Sequence, residues 1–251
     1  MFTKELIISM VVTMIKAKSL LKNRVLGRTD DVVFPYVVSL QLQEIRGEEK
    51  YRVCTGTLIA PEWVVTAAHC LRPEVKFVRY GNMAIPSNST ESISKILKMF
   101  THPLYKLVEP KGYVQFYDMK NDIGLILTQK IKMAVGKLSP VDMKYFTGKK
   151  VTYAGFGRSS DSFLDDIKPL RSGEGVITEC PFNPHSHRVR PAMCVEPKHK
   201  KQHKTGDSGG PVFYDGKIIA VLSASVLRTS VYTPVKPYLV WIANTMYANK
   251  N

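Results

Sequence analysis

The amino-acid sequence predicts an all-β protein of the sandwich or barrel kind, with a single helix at its C-terminus. Three observations carry this expectation. Short apolar runs rich in Val, Ile and Tyr recur along the 251 residues, separated by Gly, Pro, Asn and charged side chains. The last two runs are joined by Asp215-Gly216, a two-residue hairpin signal, because glycine tolerates the positive φ that such turns need. Only the C-terminal stretch repeats its apolar residues with the spacing of a helix.

In chain order the expected strands are Tyr36–Leu42, Val53–Ile59, Trp63–Ala67 and Lys76–Tyr80, then Ile123–Leu127 and Lys150–Ala154, and finally the hairpin pair Pro211–Tyr214 and Ile218–Leu222. Each is four to eight residues long and bounded by turn-forming residues, the usual signature of a strand. For the helix, Pro237 suits a first turn because its missing N–H would have no partner there. Tyr238, Trp241, Ile242 and Thr245 then fall at i, i+3, i+4 and i+7 on one face. There is no solenoid-type repeat and no long low-complexity segment. With 44% hydrophobic residues the chain can bury a sizeable core, as one large domain or two small ones.

Residues 1–19 read as a signal peptide: Lys4 precedes an apolar run from Leu6 to Ile15, and Ala17 and Ser19 supply the small side chains of a signal-peptidase site. The run is too short to span a bilayer, and no other stretch is apolar enough. A secreted, extracellular protein is therefore expected. Asn88-Ser89-Thr90 is a glycosylation sequon on an expected surface loop. The four cysteines, Cys54, Cys70, Cys180 and Cys194, suit an oxidising compartment, and by count alone they allow three pairings.

Lys and Arg number 36 against 21 Asp and Glu, a formal charge of +15. Only part of the excess lies in residues 1–24, so the remainder of the chain stays strongly basic and suits acidic surfaces, acidic substrates or a polyanion, with salt-sensitive affinity. No nucleic-acid function is expected, and the chain is expected to act as a monomer. His185-x-His187 and His199-x-x-x-His203 have spacings that suit zinc, yet no carboxylate cluster accompanies them. Neither a metal nor any other cofactor is expected.

The chemistry lies in three short segments: Thr66-Ala67-Ala68-His69-Cys70, Asn121-Asp122-Ile123-Gly124-Leu125-Ile126 and Thr205-Gly206-Asp207-Ser208-Gly209-Gly210-Pro211. A serine hydroxyl is a poor nucleophile until an imidazole takes its proton, and the imidazole needs a buried carboxylate to fix its tautomer. His69, Asp122 and Ser208 supply these groups in the order His, Asp, Ser, one of the several chain orders known for such triads.

With these segments in that order, the chain resembles the chymotrypsin-like (trypsin-fold) serine proteases. The likeness runs from about Arg24 to the C-terminus. It includes Phe34-Pro35-Tyr36-Val37-Val38-Ser39-Leu40-Gln41, Gly56-Thr57-Leu58-Ile59, Trp63-Val64-Val65, His102-Pro103-Leu104-Tyr105, Gly155-Phe156-Gly157, Val231-Tyr232-Thr233-Pro234 and Trp241-Ile242. The resemblance implies two packed six-stranded antiparallel β-barrels, residues 25–140 and 141–251, with the C-terminal helix on the second. The cleft would lie between them, with His69 and Asp122 from the first barrel and Ser208 from the second. It further implies an oxyanion hole at the N–H groups of Gly206 and Ser208, and disulfides Cys54–Cys70 and Cys180–Cys194. Arg24-Val25-Leu26-Gly27 resembles an activation junction. Residues 20–24 would be the activation peptide, an activating protease would cut after Arg24, and the freed Val25 ammonium would pair with Asp207.

The sequence also departs from the family pattern. Lys204 stands where the family often has a bridged cysteine, and Gln202 stands where trypsin-like members carry an aspartate. Trypsin-like specificity is not expected, because a buried substrate cation would lack its partner. The basic run from Lys198 to Lys204 reads as a solvated loop with Gln202 and His203 turned inward, the alternative being that it favours acidic groups near the cleaved bond. Ser223-Ala224-Ser225 corresponds to the strand that pairs with substrate, and Ser225 and Ser230 stand where glycines keep the pocket open. Gln202, His203, Ser223, Ser225 and Ser230 are thus the expected specificity residues. The leading function is a secreted serine endopeptidase made as a zymogen and acting on protein or peptide substrates. The competing one is a weakly active or non-catalytic homologue that binds a polyanion or a protein as a cofactor.

Overall fold

The structure is a computed structural model that describes residues 34–42, 52–81, 92–108, 118–157, 170–180, 188–198, 206–226 and 229–250. The signal peptide, the activation segment with Arg24 and Val25, Asn88, Gln202, His203, Lys204, His185, His187 and His199 lie outside the described residues.

Among the described residues there are sixteen strands. In the N-terminal half they are β1 (Val37–Leu42), β2 (Arg52–Ala60), β3 (Trp63–Thr66), β4 (Val75–Arg79), β5 (Ile93–Thr101), β6 (Lys106–Val108), β7 (Asp118–Lys120) and β8 (Gly124–Thr128). Then come β9 (Lys137–Leu138), β10 (Lys150–Gly155), β11 (Arg171–Thr178), β12 (Arg188–Arg190), β13 (Met193–Pro197), β14 (Pro211–Tyr214), β15 (Lys217–Val226) and β16 (Thr229–Pro234). One helix follows, α1 (Leu239–Ala248), entered through a single 3₁₀ turn at Lys236–Tyr238 that contains Pro237.

Strands β1-β2-β3-β8-β5-β4 close into one antiparallel barrel. Strands β14-β10-β11-β13-β16-β15 close into a second through the β14–β15 pairing, and β9 adds to β15 as a parallel edge. The expected architecture is thus the observed one. A separate three-stranded sheet, β12-β7-β6, lies beside the two barrels.

Alternation explains why strands near the middle of the molecule are buried on both faces. In β3, Val64 points into the first barrel while Trp63 and Val65 face the seam between barrels. In β8, Ile126 points inward while Leu125 and Leu127 face the same seam. Phe156, Phe213, Ile218, Val221 and, from the helix side, Tyr238 and Ile242 meet them from the second half. One apolar layer therefore holds the two barrels in fixed register, each fully buried aliphatic side chain contributing about 1.5–3 kcal/mol. Cys54 and Cys70 are bonded at 2.01 Å across 16 positions, a loop whose closure stabilises by about 3 kcal/mol in the chain-entropy picture. Cys180 and Cys194 form the second bridge.

Several strands lack a legible pattern. In β5, Lys95, Leu97 and Lys98 are all exposed, so no clean alternation survives; pairing with β4 and β8 extends it over nine residues. In β11, Gly173 and Gly175 weaken any strand signal. Gly173 lies opposite Tyr153, whose ring occupies the space a Cβ would need. The hairpin at Asp215-Gly216 has both residues at positive φ, 49° and 68°. Among the described residues no helix is long and apolar enough to cross a membrane.

Candidate active site

His69 lies in a 3₁₀ turn, Ala68–Cys70, that leaves the end of β3, and the Cys54–Cys70 bridge pins the next residue to β2. Asp122 lies between β7 and β8, directly after Asn121, which takes a left-handed φ of 53° that asparagine tolerates well. That segment is held by Asn121 Nδ2 donating to Leu104 O (2.8 Å) and by Tyr238 Oη donating to Asn121 Oδ1 (2.9 Å).

The Asp122 carboxylate is 0% exposed, and three donors converge on it. The His69 backbone N–H reaches Oδ1 at 2.9 Å, the His69 ring Nδ1 reaches Oδ2 at 2.8 Å, and the Ser223 hydroxyl reaches Oδ2 at 2.5 Å. A buried carboxylate is tolerated only with such compensation. Because a carboxylate only accepts, the ring carries its proton on Nδ1 and leaves Nε2 as the basic nitrogen. The field of Asp122 is felt nearby. Burial and this charge push the Tyr105 phenol up to about 12, and the same two causes raise that of Tyr238. His102, edge-on to Tyr238 and Trp241, is lowered by burial.

Ser208 sits on a turn whose neighbours include Gly206 (φ 104°) and Gly209 (φ 78°). Gly209 is confined as well as twisted: a Cβ there would collide with Thr66 Oγ1 and Thr55 O. The turn is clamped to the first barrel through Thr55, which is fully buried. Thr55 N donates to Ser208 O (2.8 Å), Thr55 Oγ1 donates to Gly206 O (2.8 Å), and Phe156 N donates to Thr55 Oγ1 (3.0 Å). Ser208 O also lies 3.6 Å from Cys70 Sγ, beside His69. The backbone of Ser208 thus meets the residue next to His69 across the seam, and no hydrogen bond joins the Ser208 hydroxyl to the His69 ring. Among the described residues the N–H groups of Gly206 and Ser208 donate to nothing else. Asp207 Oδ1 accepts from Gly157 N at 2.6 Å.

Of the expected specificity residues, Ser223 is buried and turns its hydroxyl onto Asp122, Ser225 is exposed, and Ser230 is buried against Tyr232. Tyr232 is itself raised well above the ordinary phenol range by burial, then by Tyr153 and Asp207. Two contacts escape a reading of the sequence, one of them made by a residue expected in the specificity pocket. Ser223 reaches Asp122 across 101 positions, and Thr55 reaches Gly206 across 151, so no local spacing announces either. Cys54, His69 and Cys70 cluster closely enough for a metal, but the two sulfurs are bonded to each other and are not available as thiolates.

Two closed barrels with a buried Asp–His pair and a glycine-flanked serine at their junction define a class of hydrolases, the chymotrypsin-like serine peptidases. The chain belongs to the trypsin family, whose model, described as Trypsin, matches residues 28–242. It is 28% identical over 228 residues to Serine protease 1 of Homo sapiens, covering 86% of this chain and 85% of that protein. It is 30% identical over 224 residues to Trypsin of Squalus acanthias (84% and 90%) and 28% identical over 224 residues to Granzyme F of Mus musculus (84% and 86%). The protein is a serine endopeptidase, a hydrolase whose substrates are proteins or peptides.

Proposed function

We propose that Ser208 is the nucleophile, His69 the general base and then acid, and Asp122 the group that orients His69 and stabilises its imidazolium. Ser208 Oγ bonds to the scissile carbonyl carbon as its proton passes to His69 Nε2. The resulting oxyanion is held by the N–H groups of Gly206 and Ser208. His69 returns the proton to the leaving amine as the C–N bond breaks, and water then releases the acyl group by the same base. Each oxyanion donor is worth about 3 kcal/mol in the transition state. The observation that carries this reading is the fully buried Asp122 carboxylate bonded to both the backbone and the ring of His69.

The enzyme is made as a secreted precursor. Residues 1–19 are removed on export, and an activating protease cuts after Arg24. The Val25 ammonium then joins Asp207 and fixes the Gly206–Ser208 backbone. The position of Asp207 supports this: its carboxylate lies against Gly155 and Gly157, where any side chain would displace it, so its placement and that of the serine turn are linked. Two disulfides are in keeping with an extracellular location, where Asn88 would carry glycan. With Gln202 in place of a carboxylate, cleavage does not favour Lys or Arg. The basic surface favours acidic partners.

Chain beginning at Val25 is offered a mixed peptide library beside its Ser208→Ala form, with products read by mass spectrometry. The native serine form is expected to cut, at bonds not enriched in Lys or Arg, and the alanine form to leave the library intact. Equal cleavage by both forms refutes the proposed nucleophile.

A further inference from the structure

The three-stranded sheet has two faces of opposite character. Across β6, β7 and β12 the register sets Leu107, Met119 and Val189 in one row and Lys106, Lys120 and Arg190 in the next. In the first row Met119 and Val189 face inward, 8% and 5% exposed and packed with Cys194 and Val231, while Leu107 on the edge strand is 40% exposed. The second row faces outward, and all three of its cations are exposed. Neighbouring strands lie about 4.8 Å apart, so three positive charges stand in line within roughly 10 Å. Like charges directly opposite on adjacent strands destabilise a sheet, and none of the three forms an ion pair with a described residue.

This sheet is joined to the active site. Lys120 is two residues before Asp122, and Asn121 N donates to Arg190 O at 2.8 Å. On the inner face, Met119 Sδ lies 4.0 Å from the Ser223 hydroxyl that bonds Asp122. Whatever occupies the outer row is therefore close to a chain bound for cleavage.

We propose that Lys106, Lys120 and Arg190 form a docking row for an acidic segment of the polypeptide substrate, outside the residues engaged by the triad. The proposal rests on the endopeptidase reading above. An extended segment places alternate side chains on one face at a spacing of about 6.8 Å, so two carboxylates separated by one residue fit among three cations spread over that row. The proximity to Asp122 favours a segment of the substrate itself over a separate polyanion.

Binding is measured on the full chain carrying Ser208→Ala, by fluorescence anisotropy of a labelled peptide with a glutamate tract. Combined Lys106→Gln, Lys120→Gln and Arg190→Gln is expected to weaken binding about tenfold, the size expected of three exposed charge pairs acting together. Lys95→Gln, Lys132→Gln and Lys217→Gln, which remove the same charge elsewhere on the surface, are expected to leave it within about twofold. Equal weakening by both sets, or by neither, overturns the proposal. So does a set of row substitutions that weakens a sulfated oligosaccharide but spares the peptide. In the active chain, the row substitutions are expected to raise KM about tenfold for a substrate bearing the tract and to leave the same substrate without it unchanged, a difference erased by high salt. A chain that binds the tract but cleaves nothing refutes the endopeptidase reading alone. One that cleaves both substrates with equal kcat/KM, before and after substitution, refutes the docking row alone.

Discussion

Replacing Asp122 by asparagine changes one atom and, by the geometry of its donors, inverts the acid–base character of His69. All three groups around the carboxylate are donors: the His69 backbone N–H on Oδ1, and the His69 ring and Ser223 hydroxyl on Oδ2. An amide has one oxygen to offer. The hydroxyl can rotate and the ring can change tautomer, but the backbone N–H cannot turn away. The amide oxygen must stay at the Oδ1 position, which directs the NH₂ group at the His69 ring. The ring then accepts on Nδ1 and carries its proton on Nε2, so it can no longer act as the base proposed for Ser208. About four orders of magnitude in kcat/KM should be lost, the size known for this exchange in serine protease triads, or about 5.4 kcal/mol of transition-state stabilisation. Steady-state kinetics on the folded variant measures the loss, and ¹⁵N NMR of His69 reads the tautomer directly. Activity within tenfold of the native enzyme, or a ring still protonated on Nδ1, would refute the reasoning.

Two further outcomes follow from the same contacts. Thr55→Val keeps the shape of the side chain but leaves Gly206 O and Phe156 N without their shared hydroxyl, at about 1–3 kcal/mol for each orphaned group. It should lower kcat far more than it raises KM, and Thr55→Ser should restore most of the loss; a change confined to thermal stability would show that Thr55 has no part in setting the oxyanion turn. The buried phenols predict behaviour in alkali. Tyr105 is pushed up to about 12, and Tyr232 and Tyr238 are also raised by burial. The unfolded chain releases these protons from about pH 10 while the folded chain retains them, so stability is full below that value and falls as pH rises above it. Spectroscopic titration should find these phenols ionising late in the folded protein and at the ordinary value in urea; normal titration of the folded chain would count against the packing around Asp122.

Much of the architecture is legible in the sequence because its determinants are local. The Pro211–Tyr214 run is a strand with the expected bounds, and Asp215-Gly216 turns as its φ freedom requires. Ile242 is on the buried face of the C-terminal helix, as its spacing anticipates, and Tyr238 is buried in the 3₁₀ turn that leads into it. The helix proper starts at Leu239, because Pro237 is accommodated in a 3₁₀ turn instead. By contrast β5 and β11 draw their strand character from the partners they pair with rather than from their own pattern. In β5 exposed lysines interrupt the pattern, and in β11 a glycine answers to the bulk of Tyr153 across the ladder.

For the site, the sequence alone nominates an imidazole, a carboxylate and a hydroxyl for the proposed triad, since each sits in a short segment whose neighbours restrict what it can do. How the carboxylate is held was decided only by folding. Ser223 belongs, by its place in the chain, to the strand that would line a substrate pocket, yet its hydroxyl completes the shell around Asp122. Thr55 belongs to the first barrel and yet steadies Gly206 in the second. Both act at the contact between two closed barrels, and a pattern read along one chain has no information on which faces will meet when those barrels pack.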